Sequence, residues 1–235
     1  VSTRLRLARR GRVVKTRRTM ARMDTTADRL AAWAEGEEAR FLGRLEDEEP
    51  CNGWIAEYWR IVGDAAERPA YRHVDGRTVD AAGDRWAWSA AFIGAGVWFA
   101  SSGAPWFAYC EWHSTYVRDA IRRAAEGGAQ PYRAYPIGTT ALRRGDIVVQ
   151  WRAGLGDGAP DRPVTFEAAS RIEPFTSHGD IVVSVGADAA EIIGGNLSDT
   201  VMRRHLALDG TGHLADAGQL RGHWFALLRF EEAAA

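Results

Sequence analysis

His178-Gly179-Asp180-Ile181-Val182-Val183, followed shortly by Ile192-Ile193-Gly194-Gly195-Asn196, are two apolar runs joined by a turn rich in glycine, alanine and aspartate. Runs this short, rich in β-branched residues and bounded by turn formers, read as strands. The pattern recurs at Ile147-Val148-Val149, over 201–208 and over 224–230, so the second half of the chain reads as a strand meander. The first half keeps a different period. Asp24-Thr25-Thr26 can cap a helix carrying Leu30, Trp33, Ala34, Phe41, Leu42 and Leu45 at helical spacing. After an acidic break at 46–50, Trp54, Ile55, Tyr58, Trp59 and Val62 mark a second helix, and 68–83 reads as loop. A third helix opens near Ser89 and runs through Phe92, Ile93, Val97 and Trp98, with Ala90, Ala91, Gly94, Ala95 and Gly96 small enough to press on a sheet. A fourth spans about 109–126, with Trp112, Tyr116, Val117, Ala120, Ile121 and Ala124 inward and Gly127-Gly128 as its stop. Helices first and strands last predict an α+β fold with an antiparallel sheet.

Three of these elements end in chemically useful side chains. Ser89 opens the third helix, His178 opens a strand, and Asn196 closes the next strand behind two glycines. A hydroxyl nucleophile, an imidazole base and an orienting amide, each held by a rigid element, are the parts covalent hydrolysis needs. Each residue also has a plainer reading. Serine is a preferred helix cap, a histidine can be a structural strand residue, and asparagine favours turns. His113 falls on the inward face of its helix with Val117 and Ile121, as a core histidine or a cleft-lining residue beside Tyr116. Asp146 is expected to cap or orient the turn into its strand. Trp86, Trp88 and Trp112 are rings for either the core or a sugar or peptide substrate.

The sequence resembles a known superfamily at four places in order. Trp88-Ser89-Ala90-Ala91-Phe92 is similar to the Trp-Cys-Ala-Ala-Phe that starts the nucleophile helix of CHAP amidases and their NlpC-type relatives. Arg144-Gly145-Asp146-Ile147-Val148 resembles that superfamily's Gly-Asp approach to its first sheet strand. The stretch 178–183 resembles its His-Val-Gly-Ile-Val strand, and Gly194-Gly195-Asn196-Leu197-Ser198 its Gly-Asn-x-Ser turn. Serine at the nucleophile position, with the added helix Glu111-Trp112-His113-Ser114-Thr115-Tyr116, resembles an uncharacterised bacterial branch of it. The resemblance implies a papain-like α+β domain over 24–235 with a helical N-terminal prefix. It also implies an amide hydrolase acting on peptidoglycan, with Ser89, His178 and Asn196 as the catalytic set and Trp88, Trp112, His113 and Tyr116 against substrate. Serine changes the chemistry: a thiol can be held as the anion beside an imidazole, whereas a hydroxyl must lose its proton during attack. Two alternatives stand beside the enzyme: a degenerate module that binds a cell-wall fragment or protein partner, and a toxin-like effector delivered by dedicated machinery.

Composition narrows the rest. Over 235 residues, 46% apolar and 26% charged content suit a soluble globular chain. The net charge of −1 conceals an asymmetry, since residues 1–23 hold nine of the 30 basic residues and no acid, leaving 21 bases against 31 acids. This arm is expected to be disordered, and it is the one segment suited to nucleic acid. Neither a secretory signal nor a membrane-spanning run can be read, so the expected location is cytoplasmic unless a dedicated system exports the chain. Cys51 and Cys110 make no disulfide framework. Cys110 and His113 could meet along one helix, but zinc would need further ligands. His73, His205, His213 and His223 show no metal-ligand spacing, so no metal or cofactor is expected.

Overall fold

The computed structural model describes residues 25–81, 83–152, 163–172, 174–215 and 223–231. The basic arm at 1–23 lies outside the described residues. Helices come first: α1 (Thr26–Phe41), α2 (Cys51–Ala65), a 3-10 turn (Pro69–His73), α3 (Ser89–Ala100) and α4 (His113–Glu126). Then come β1 (Tyr132–Pro136), β2 (Ile147–Trp151), a short α5 (Phe166–Ala169), β3 (Ser177–Val185), β4 (Ala189–Leu197), β5 (Thr200–Ala207) and β6 (Trp224–Phe230). The strands form one sheet in the order β1-β6-β2-β3-β4-β5, with every neighbouring pair antiparallel. The chain is therefore α+β, as the change of period predicts.

Both faces of the sheet are covered. On one face Ile147, Val149, Ile181, Val183 and Ile193 join the large core shared with the helices. On the other, Val148, Val182, Ile192 and Leu227 pack with Leu206, Leu208, Leu214 and Trp224. Strands buried on both faces need apolar residues at consecutive positions, which is why they read as short runs without alternation. β1 escapes the sequence reading: Tyr132-Arg133-Ala134-Tyr135-Pro136 is a polar edge strand ending in proline, as edges tolerate.

α1 begins as its sequence suggests. Thr25 Oγ1 accepts from the Asp28 N–H, and the Asp28 carboxylate accepts in return from the Thr25 N–H, a reciprocal cap. α3 is buried on nearly every side. A Cβ on Gly94 would stand 2.7 Å from Val62 of α2, and one on Gly96 2.6 Å from Trp33 of α1. Its small residues therefore serve helix–helix packing as well as the sheet. α4 starts at His113, later than expected, because Trp112 is extended (φ −111, ψ 127) and takes the cap position. Cys110 consequently precedes the helix instead of stacking on it. Asp146 does hold its turn, accepting from the Arg143 N–H at 2.7 Å, and it is bidentate to Arg229 on β6 at 2.9 and 2.6 Å. Among the described residues no helix is long and apolar enough to cross a membrane.

Candidate active site

The start of α3 is held from beneath. The buried Glu46 carboxylate accepts from Trp88 Nε1 at 2.6 Å and from Arg85 at 3.0 Å. Trp88 is wholly buried and stacks near Phe41. Its expected place against substrate gives way to a core role, because no ring face is left for a ligand. Trp88 also occupies the cap position of α3 without a side-chain cap bond, which makes Ser89 the first helical residue. The plain reading of Ser89 as a cap therefore fails.

The Ser89 hydroxyl turns instead to His113. Its Oγ lies 2.7 Å from His113 Nε2, in a hydrogen bond whose direction the imidazole tautomer sets. The other ring nitrogen, Nδ1, is hydrogen-bonded to the Tyr116 hydroxyl one helical turn on. Each member of the Ser89–His113 pair thus sits in the first position of a helix, α3 and α4 respectively. In α3 the first intrahelical bond runs from the Phe92 N–H to the Trp88 carbonyl. The N–H groups of Ser89, Ala90 and Ala91 therefore have no partner within the helix. Burial pushes the His113 imidazole well below the usual histidine range, and His178 adds to this; Asp180 opposes it and Arg152 assists. A neutral imidazole is the form that can accept a proton. Burial likewise lifts the Tyr116 phenol well above its usual range.

His178 does not take the place expected for it. Strand alternation in β3 turns Gly179, not His178, toward the helices. A Cβ on Gly179 would stand 2.6 Å from the Tyr116 hydroxyl and 3.0 Å from His113 Nδ1. His178 and Asp180 share the opposite face, where a Cβ on Gly194 would lie 2.1 Å from Asp180 Oδ1 and 2.9 Å from His178 Nε2. Gly195, the next residue of β4, faces α3 and would meet Trp88 at 2.5 Å. The glycine pair thus lets a helix press on one side of the strand and a polar cluster on the other. His178 and His113 still approach across Gly179, with ring centroids 5.6 Å apart.

The second face carries groups that the sequence reading passed over. His178 Nε2 is 3.4 Å from Asp180 Oδ1, an ion-pair distance, and Arg204 of β5 reaches Asp180 Oδ2 at 2.5 Å. Burial works to raise the Asp180 carboxyl, yet His178 and Arg204 outweigh it and hold the group below its usual range. Its position two residues beyond His178 was a readable signal, since i and i+2 share a strand face. Asn196 stands at φ +57 where the pairing of β4 with β5 shifts, and among the described residues its side chain makes no hydrogen bond. It thus does not orient the His178 ring. Trp112 is 44% exposed at the start of α4 and can meet a ligand. Cys110 donates to Glu111 at 2.8 Å, and burial raises its thiol, the reverse of activation. Among the described residues no group of histidine, cysteine, aspartate and glutamate is arranged to hold a metal ion.

A family model described as an uncharacterized protein conserved in bacteria, DUF2272, matches residues 47–230. No curated protein and no solved structure matches the chain.

Proposed function

Because the chain belongs to the bacterial family DUF2272, whose description names no activity, we propose from the site itself that it is a serine-dependent amide hydrolase. The observation that carries this reading is the 2.7 Å contact between Ser89 Oγ and His113 Nε2 at the start of α3. With Nδ1 carrying its hydrogen toward the Tyr116 oxygen, Nε2 is free to take the hydroxyl proton. Ser89 Oγ then bonds to the substrate carbonyl carbon, and the oxyanion meets the N–H groups that the α3 first turn leaves without helical partners. The proton passes from His113 to the leaving nitrogen as the C–N bond breaks. Water, deprotonated by His113, releases the acyl group.

Peptidoglycan stem peptide, or its amide link to sugar, is the substrate class suggested by the resemblance to CHAP and NlpC-type enzymes. A helix presenting its first residue above an antiparallel sheet supports a papain-like arrangement. Two departures set this chain apart from that superfamily's pattern: serine replaces cysteine, and the base comes from α4 instead of β3. A second reading has one observation of its own. Ser89 is 7% and His113 4% exposed, so little of the pair can reach a substrate, which suits a module that holds a cell-wall fragment elsewhere on its surface without turning it over.

Product release from peptidoglycan fragments, followed by mass spectrometry, separates these readings. Ser89→Ala should release nothing, and His113→Asn should lose about 10²–10⁴-fold in rate. His178→Asn should lose far less. Hydrolysis that survives His113→Asn and vanishes with His178→Asn would move the base to β3. An inert wild type that binds fragments as well as Ser89→Ala does would establish the binding module.

The pH profile is a second check. An imidazole held well below its usual range stays neutral through the ordinary histidine pKa of about 6.5. The acid limb of activity should therefore lie below that value. Stability should fall with it, because below about pH 6.5 the unfolded chain binds a proton that folded His113 refuses. A limb centred at or above 6.5 contradicts the assignment.

A further inference from the structure

The face of the sheet turned away from the helices gathers more positive than negative charge at one end. Gln150 of β2 pairs in register with His178, and Arg152 continues the same edge, its N–H donating to the Thr176 carbonyl at 3.1 Å. Alternation puts Gln150 and Arg152 on the face of His178 and Asp180. Arg204 joins them from β5, its guanidinium carbon 5.6 Å from the centre of the Trp224 ring. Asp180 is bound by only one of these two guanidiniums. Among the described residues Arg152 has no carboxylate within ion-pair distance. Several buried atoms here also lack hydrogen-bond partners: both ring nitrogens of His178, Asp180 Oδ1, which faces His178 Nε2 at 3.4 Å, and Arg204 Nε. Both arginines keep a share of solvent exposure, so the cluster can be reached from outside. Burial and then the Arg204 charge hold the Arg152 guanidinium below its ordinary range, with Asp180 opposing them only in part. That repulsion is what an arriving anion relieves.

We propose that Arg152 and Arg204 form a carboxylate-binding site on the face of the sheet opposite the Ser89–His113 pair, taking peptides that carry a free carboxylate. The site lies across Gly179 from His113, on the other face of β3, with the His178 ring 5.6 Å from the His113 ring between them. A guanidinium offers a carboxylate two parallel N–H donors, and a planar fork of this kind discriminates the anion from its neutral amide. The inference stands apart from the hydrolase reading, and the anion preference can be measured without turnover.

Calorimetry on Ser89→Ala, where hydrolysis cannot intervene, gives the decisive comparison. The probes are a synthetic stem tetrapeptide with free carboxylates and the same peptide with every carboxylate amidated. The free acid should bind at least about tenfold tighter, and adding Arg152→Gln should erase that preference while the thermal melt stays in place. Arg204→Lys, which retains a charge for Asp180, should weaken the preference without unfolding the protein. Equal binding of the two peptides, binding of neither, or a preference untouched by both substitutions overturns the site. Turnover that ignores Ser89 overturns the hydrolase reading and leaves a measured carboxylate preference standing.

Discussion

Gly179→Ala is expected to lower turnover by about two to four orders of magnitude, the worth of a positioned general base, although residue 179 carries no reactive group. The added methyl would stand 2.6 Å from the Tyr116 hydroxyl and 3.0 Å from His113 Nδ1, closer than such contacts tolerate. Neither neighbour can swing clear, because Tyr116 is 0% and His113 4% exposed. The imidazole must shift along α4 and leave the Ser89 hydroxyl. Overpacking of this kind also costs about 1–3 kcal/mol of stability, so turnover must be compared at matched folded fraction. Gly53→Ala, in α2 with nothing within 4 Å of the new methyl, is the control. It should gain up to about 1 kcal/mol from helix propensity and leave turnover alone. Unchanged turnover in Gly179→Ala would mean that His113 is not the base.

Arg229→Met is expected to cost about 3–5 kcal/mol, the usual penalty for stranding one member of a buried ion pair. Asp146 is 2% exposed, and Arg229 supplies two of its hydrogen bonds and a third to the Ala141 carbonyl at 2.8 Å. The pair ties the turn before β2 to β6, its sheet neighbour. Burial already raises the Asp146 carboxyl, and Arg229 is the main force pulling it back. Without the guanidinium only Arg143 still opposes burial, and the folded pKa rises further above the unfolded value of about 3.9. A carboxyl raised on folding favours the folded state below its unfolded pKa, and that advantage disappears as pH rises through the folded pKa. Arg229→Met should therefore be most impaired near neutral pH and recover toward pH 4 in denaturant melts. Adding Asp146→Asn should restore part of the loss, since no stranded charge remains. A loss below about 1 kcal/mol with no pH dependence would show that the pair carries little.

The alternation of element types was legible because it depends on local pattern alone. Helical spacing in Leu30, Trp33, Ala34 and Phe41, and the β-branched runs at 147–149, 181–183 and 192–193, each express the layer that covers them. Ser89 at the head of a helix and the Gly194-Gly195 pair in a strand could likewise be placed from their neighbours. β1 could not, because only Tyr132 and Ala134 of its five residues are buried, too few to leave an apolar run.

The partnership at the site was beyond the same reasoning. Both faces of β3 are buried from Ser177 to Val183, so polarity gives no sign of which face meets the helices. A shift of one residue decides whether His178 or Gly179 looks toward α4. Residues 89 and 113 belong to different helices separated by a loop, and no spacing rule links them. Residue chemistry, through periodicity and turn formers, determined the order of helices and strands and the residues able to react. Only the packing of α3 and α4 on β3 decided that Ser89 meets His113, while His178 and Asp180 lie on the other side of the strand. That choice depends on sheet register and layer contacts, which no single segment encodes.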